Sequence, residues 1–349
     1  MKKISDSLEL LSNVIARNRI ILPPMDTAMS IDGYANDYHI MHYGARSYGG
    51  YGTIIVEATA VSPNAKITEK DLGLWDDSHI DGLKKIVEIV KKGGSKIGIQ
   101  LAHAGSKAEV PNAFGVTKKA NEWFGTNARF CNDNDLIEVV QNFISAAKRA
   151  KKAGFDFIEI HGAHGYLICS MLNPYTNDLI KTKDICERGK YLIEIVKGVS
   201  KILPTGIRLS PSDNDNATFK TLDFAPIVKE LDKYLDYYHI SGGDIIDLKN
   251  NKIIKEEMTY DQQLPFFSQM KTFRTLTKKN IIAVNRYKTR EDVLKALDNG
   301  ADAVAIGRCA LFNPAIIMTD ILTKEEFTND YHWNNNPWWN PVSHAKRNK

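Results

Sequence analysis

Short apolar runs alternate with longer amphipathic ones along nearly the whole chain, and the alternation can be counted. Eight runs read as strands: residues 19–24 (RIILPP), 53–58 (TIIVEA), 96–101 (KIGIQL), 155–161 (FDFIEIH), 206–210 (GIRLS), 237–241 (YYHIS), 280–284 (NIIAV) and 303–307 (AVAIG). Between them lie stretches with apolar residues at helical spacing. Residues 79–94 (HIDGLKKIVEIVKKGG) and 133–154 (DNDLIEVVQNFISAAKRAKKAG) are examples, and both end on Gly. Nearly continuous apolar strands separated by helices pack as a parallel sheet covered on its faces, and eight such units predict closure into a single (β/α)8 TIM barrel. The alternative is an open doubly wound sheet. That architecture carries a Gly-rich fingerprint at its first strand-to-helix turn, where this chain reads PPMDTAMSIDGYAND without a G-x-G-x-x-G.

Two connections exceed plain turns, residues 102–131 after the third strand and 242–263 after the sixth. Both follow strand C-termini, so they are expected to form lids or rims. Residues 1–328 are read as the barrel. Residues 329–349 lack periodicity and are rich in Asn, Trp and Pro, which fits either a segment docked on a neighbouring subunit, with Arg347 reaching a neighbour's site, or a loosely ordered tail.

Composition narrows the classes. A chain of 349 residues with 25% charged and 43% hydrophobic residues can bury a large core, and a net charge of +4 with dispersed lysines predicts no nucleic-acid partner. The start, MKKISDSLELLSNVIARNRI, has no apolar core of a signal peptide, and no apolar run is long enough to span a bilayer, so a cytoplasmic protein with no membrane partner is expected. Cys131, Cys169, Cys186 and Cys309 lie far apart without a C-x-x-C pair. They are read as buried free thiols, not as a zinc or iron–sulfur site.

Barrel chemistry collects at strand C-termini. Here those ends carry Pro24, Met25 and Asp26; Glu57 and Ala58; Gln100 and His103; His161, His164 and Tyr166; Arg208; Ser241; and Gly307 with Arg308. Amide and guanidinium donors, two imidazoles, a phenol and glycines that expose backbone N–H groups would together suit a planar heteroaromatic ring with a phosphate tail. The His-x-x-His pair could instead bind metal. Against that, Glu159 and His161 share one strand face while His164 lies beyond it.

The stretches EIHGAHGYL (residues 159–167) and KIGIQLAHAG (96–105), with Asn18-Arg19-Ile20, Pro24-Met25, Val56-Glu57-Ala58 and Ile306-Gly307-Arg308, resemble the old yellow enzyme family of NAD(P)H-dependent FMN oxidoreductases, in its compact bacterial branch. The resemblance runs in register over residues 18–314. It implies FMN as bound cofactor and NAD(P)H as co-substrate. Pro24, Met25 and Ala58 would make backbone contacts to the flavin, Gln100 would pair with its pyrimidine edge, and Arg208 would stand beside N1 and O2. Gly307 and Arg308 would grip the phosphate. His161 and His164 would bind the oxygen of a small electrophilic acceptor, and Tyr166 would protonate its α-carbon. A homodimer or homotetramer is also implied.

The chain departs from the family pattern at four places. Asp26 replaces a frequent Cys or Thr, and an ionised carboxylate there would lower the flavin potential unless protonated or turned to a partner. Ala28 replaces a substrate-facing Tyr, widening the acceptor pocket. Residues 177–188 replace a polar, Gly-rich loop. Asn285 stands where a Gly presents backbone N–H to the phosphate, and the following Arg286 could supply a side-chain grip instead. Two functions therefore remain in view: an ene-reductase acting on α,β-unsaturated carbonyl compounds, and a flavin reductase or oxidase that passes electrons to free flavin or dioxygen. A flavin-binding sensor or inactive barrel and a metal-dependent hydrolase are the readings from other classes.

Overall fold

In a computed structural model, residues 2–211, 219–241 and 260–326 are described. Eight strands form a closed parallel barrel: β1 (Ile20–Leu22), β2 (Thr53–Ala60), β3 (Lys96–Ala102), β4 (Phe157–Gly162), β5 (Thr205–Leu209), β6 (Tyr237–Ser241), β7 (Asn280–Val284) and β8 (Ala303–Ala305). Each pairs with its sequence neighbours, and β8 returns to β1 through Val304 opposite Ile20 and Ala305 opposite Ile21, which abolishes the sheet edges.

The helices cover the barrel with the stripe their sequences predict. In Ile80–Lys92 the buried residues are Leu83, Ile86, Val87 and Val90, a repeat of three and four that lays one face on the strands. Asp133–Ala153 starts at a reciprocal cap between Asn132 and Asp135 and stops at Gly154, whose φ of 91° suits a residue without Cβ. Burying each such Leu, Ile or Phe stabilises the fold by roughly 1.5–3 kcal/mol, so this helix–strand layer carries most of the stability.

Inside the barrel the lower layer is apolar. Ile21, Ile55, Phe157, Tyr237, Ile282 and Ala303 pack on Leu10, Leu11 and Val14 of an N-terminal hairpin, Leu8–Leu11 with Val14–Ala16. The hairpin is held at the strands' N-terminal end, where the Asn280 amide donates to the carbonyls of Glu9 and Leu10. It plugs that end. Gly98 and Gly206 make room for the aromatic rings, since a Cβ on either would lie 2.2 Å from Phe157 or Tyr237. Above this layer the interior turns polar, and the opening is at the strands' C-termini.

Several expected bounds shift. Strand β2 runs two residues further, to Ala60, while β1 and β8 are three residues each, because the chain bends into the site where Pro23, Pro24 and Gly307 interrupt pairing. The connection after β3 is a built rim: its Phe114–Gly115 and Arg129–Phe130 segments pair, and Ala104, Ala108, Val110 and Ala113 form a small core of their own. Cys131 and Cys169 are buried, but Cys186 and Cys309 are half-exposed, so the expectation of four buried thiols holds for two. Most of the expected rim after β6 and the segment 329–349 with Arg347 lie outside the described residues. Among the described residues no helix is long and apolar enough to cross a membrane.

Candidate active site

The strand C-termini bring His161, His164, Tyr166, Gln100 and Arg208 into one cleft. His161 is the penultimate residue of β4, and its ring lies 5.2 Å from that of His164 and 4.9 Å from that of Tyr166, nearly perpendicular to both. The chain turns here because His164 adopts a left-handed φ of 61° and Gly165 one of 75°. Tyr166 then opens the buried helix Leu167–Leu172, which anchors the turn.

A backbone hydrogen bond sets the His161 tautomer. His161 Nδ1 accepts the Ala163 N–H at 3.3 Å, so its proton sits on Nε2. Ser241 Oγ accepts from Arg208 Nη2 at 3.1 Å and lies 2.8 Å from His164 Nε2. Burial and the Arg208 charge push both pKa values well below the ordinary histidine range. Both rings are neutral donors. Burial pushes the Tyr166 phenol up to about 12, with Asp26 and Asp71 adding to the effect, so it stays protonated.

Below the rings lies a polar layer. Gln100 Nε2 donates to Glu159 Oε1 at 2.7 Å, and Arg208 Nη1 reaches the Pro24 carbonyl at 3.4 Å. Arg208 Nε is buried without a partner. On the neighbouring wall Ala58 is buried in β2, and Glu57 Oε1 accepts both the Thr27 N–H (3.1 Å) and the Thr27 hydroxyl (2.9 Å), while Tyr43 donates to Oε2 at 2.6 Å. This carboxylate fastens the segment that carries Met25, Asp26 and Ala28.

Asp26 is exposed and accepts the Ala28 N–H at 2.9 Å, and Ala28 takes a φ of 51°. The surrounding protein raises the Asp26 pKa by desolvation, against that hydrogen bond. At the other end Gly307 caps the short helix Arg308–Phe312, and a Cβ there would lie 2.8 Å from Met25 Sδ. Asn285 Nδ2 is buried without a partner, and Arg286 has a φ of 55°. The Arg286 guanidinium is held below its ordinary pKa by burial and then by the charge of Arg308, so two cations share this corner.

These features can be tested against FMN. The unpartnered donors of Arg208, on β5, and Asn285, just past β7 and next in the chain to Arg286, are of the kind an electron-rich ring edge and a phosphate would take. Residues and cofactor match. Among the described residues no group of three His, Cys, Asp or Glu is arranged to hold a metal ion.

Residues 10–321 match the model of the NADH:flavin oxidoreductase / NADH oxidase family. The chain belongs to that family. It is therefore an enzyme, an oxidoreductase of the flavin-dependent kind that uses a reduced nicotinamide. It is 37% identical to the NADPH dehydrogenase of Geobacillus thermodenitrificans over 313 residues, covering 85% of this chain and 88% of that protein. With the NADPH dehydrogenase of Clostridium acetobutylicum it is 35% identical over 338 residues, covering 90% and 93%. Among solved structures, morphinone reductase superposes with a TM-score of 0.75 at 26% identity over 90% of this chain and 87% of that one. A 2-naphthoyl-CoA reductase complex shares the fold alone, with a TM-score of 0.80 at 20% identity over 90% of this chain and 51% of that chain.

Sequence reasoning assigned no role to three groups that shape this family member's site. Lys107, on the rim after β3, donates to the His164 carbonyl at 2.8 Å. Glu57 holds Thr27, and Glu159 holds Gln100. The signal was an acidic residue inside each of two apolar strands, which demands buried partners; nothing in the sequence said which strands supplied them.

Proposed function

We propose that the enzyme carries hydride from NAD(P)H through FMN to the activated C=C of an α,β-unsaturated carbonyl compound. Bound FMN supplies a two-electron carrier that is reduced by the nicotinamide and reoxidised by the acceptor. Pro24, Met25, Ala58, Gln100 and Arg208 would hold its ring. Asn285, Arg286, Gly307 and Arg308 would hold its phosphate, the Asn285 amide and the paired guanidiniums replacing a backbone grip.

The observation that carries the reading is the set of two neutral imidazoles and one protonated phenol on adjoining turns. His161 Nε2–H and the ring N–H of His164 would donate to a carbonyl oxygen, and drawing electrons toward that oxygen makes the β-carbon a hydride acceptor. Tyr166 O–H would deliver the proton to the α-carbon. Similarity to NADPH dehydrogenases and to morphinone reductase supports a nicotinamide-driven reductase.

A phenol tests the donor pair, because its oxygen mimics the polarised carbonyl and its binding shifts the flavin spectrum. His161→Ala and His164→Ala should each weaken that binding at least tenfold, and unchanged binding in both would refute the role. Asp26 and Ala28 favour a second reading, in which free flavin or dioxygen is the acceptor: an acid stands on the rim and a side chain without a hydrogen-bonding group lines it. The two readings separate by which oxidant reacts faster with the reduced enzyme.

A further inference from the structure

The barrel interior holds a carboxylate that the proposed reaction does not use. Glu159 is fully buried on β4. Its Oε1 accepts from Gln100 Nε2 at 2.7 Å, and its Oε2 accepts from the Tyr237 hydroxyl at 3.0 Å and from His239 Nδ1 at 2.8 Å. Strand register places Gln100 beside Glu159, and Arg208 between His161 and His239, two residues further along its strand than the Gly206 that faces Glu159.

Burial alone would raise the Glu159 pKa, but His239, Arg208 and the hydrogen bonds from His239 and Tyr237 bring it below the ordinary carboxylate range. Burial lowers His239 despite the pull of Glu159. His239 donates Nδ1–H to an ionised Glu159. Two properties follow. One Gln100 N–H is engaged by Glu159, which fixes the amide's orientation and leaves its oxygen and second N–H to face a ligand. Arg208, whose Nη atoms turn to Pro24 and Ser241 instead of to a carboxylate, has the Glu159 charge nearby as a counterweight.

Resting on the FMN reading above, we propose that Glu159 is a positioning residue for the cofactor's polar edge: it orients Gln100 and offsets Arg208, and so holds the cofactor at a lower reduction potential than Arg208 alone would set. Hydride transfer from NAD(P)H brings two electrons and one proton and oxidises the nicotinamide. Without a second proton the reduced ring carries one negative charge. Arg208 favours that charge and Glu159 opposes it.

The test is the midpoint potential of purified FMN-loaded enzyme, read anaerobically against a reference dye. Glu159→Gln removes the charge at nearly constant volume and should favour the reduced state at least tenfold, about 30 mV upward for a two-electron couple. Glu159→Asp retains the charge and should stay nearer the wild type. Where Glu159→Gln does not fold, Tyr237→Phe carries the test: it removes one donor, leaves the carboxylate charge less neutralised and should move the potential the other way, about threefold. A potential that stays unchanged or moves against these signs in a variant that binds FMN overturns the proposal. A wild-type protein that binds no FMN overturns the reading beneath it, and absorbance of the purified protein tells the two failures apart.

Discussion

The Lys107 ammonium donates to the His164 carbonyl oxygen at 2.8 Å and stands 5.7 Å from the centre of the Tyr166 ring. One cation thus clamps the turn on which a proposed acceptor-binding group and the proposed proton donor both ride. A hydrogen bond from a charged group contributes about 1.5–3 kcal/mol, and a turn containing a non-glycine residue at positive φ needs such support. Lys107→Met should lower kcat/KM for an enone roughly tenfold while FMN content stays at the wild-type level. Steady-state kinetics beside flavin absorbance check this, and an unchanged kcat/KM would remove Lys107 from the account.

Tyr166→Phe removes the proposed acid and keeps the ring. Positioned general acids contribute on the order of 10²–10⁴ in rate, so reoxidation by an enone should fall by at least a hundredfold while reduction by NAD(P)H changes little. Stopped-flow measurement of the two half-reactions separates them. Because burial pushes the phenol to about 12, enone reoxidation in the wild type should show no loss attributable to Tyr166 between pH 6 and 9.

Arg286 and Arg308 are predicted to share the phosphate. Replacing either with Ala should weaken FMN binding roughly tenfold, as expected for one charge-assisted contact, and riboflavin binding should be far less affected. Fluorescence titration of the apoprotein with both ligands is the check.

Glu57 makes a prediction about stability. Burial raises its pKa in the fold from the ordinary 4.5 to about 7, against the hydrogen bonds from Tyr43 and Thr27. The folded state holds this proton more tightly than the unfolded state does. The contribution is fully present below about 4.5 and is lost as pH rises through 7, a loss of roughly 3 kcal/mol. Denaturant melts of the apoprotein at several pH values should therefore show stability falling over this window, with a flatter profile in Glu57→Gln.

The barrel could be read from sequence because its signals are local: apolar runs such as 280–284, the repeat through Leu83, Ile86, Val87 and Val90, and the stop at Gly154 each depend on neighbours in the chain. The N-terminal hairpin was missed although Ser12-Asn13 between two apolar runs is a turn signal, and Asn13 indeed takes a φ of 64°. It lies outside the strand–helix repeat that organised the reading. The residues of the cleft were readable by type at strand ends. Their partners were not, because Glu57 with Tyr43, Glu159 with His239 and Lys107 with His164 meet only after the barrel closes.

The central claim is the identity of the acceptor. Enzyme reduced with NADPH or NADH in the absence of oxygen should be reoxidised rapidly by a simple cyclic enone, faster than by air-level dioxygen, as the paired imidazoles and the Tyr166 phenol require. Slow reoxidation by the enone together with fast reaction toward dioxygen would contradict the account and identify a peroxide-forming flavin oxidoreductase.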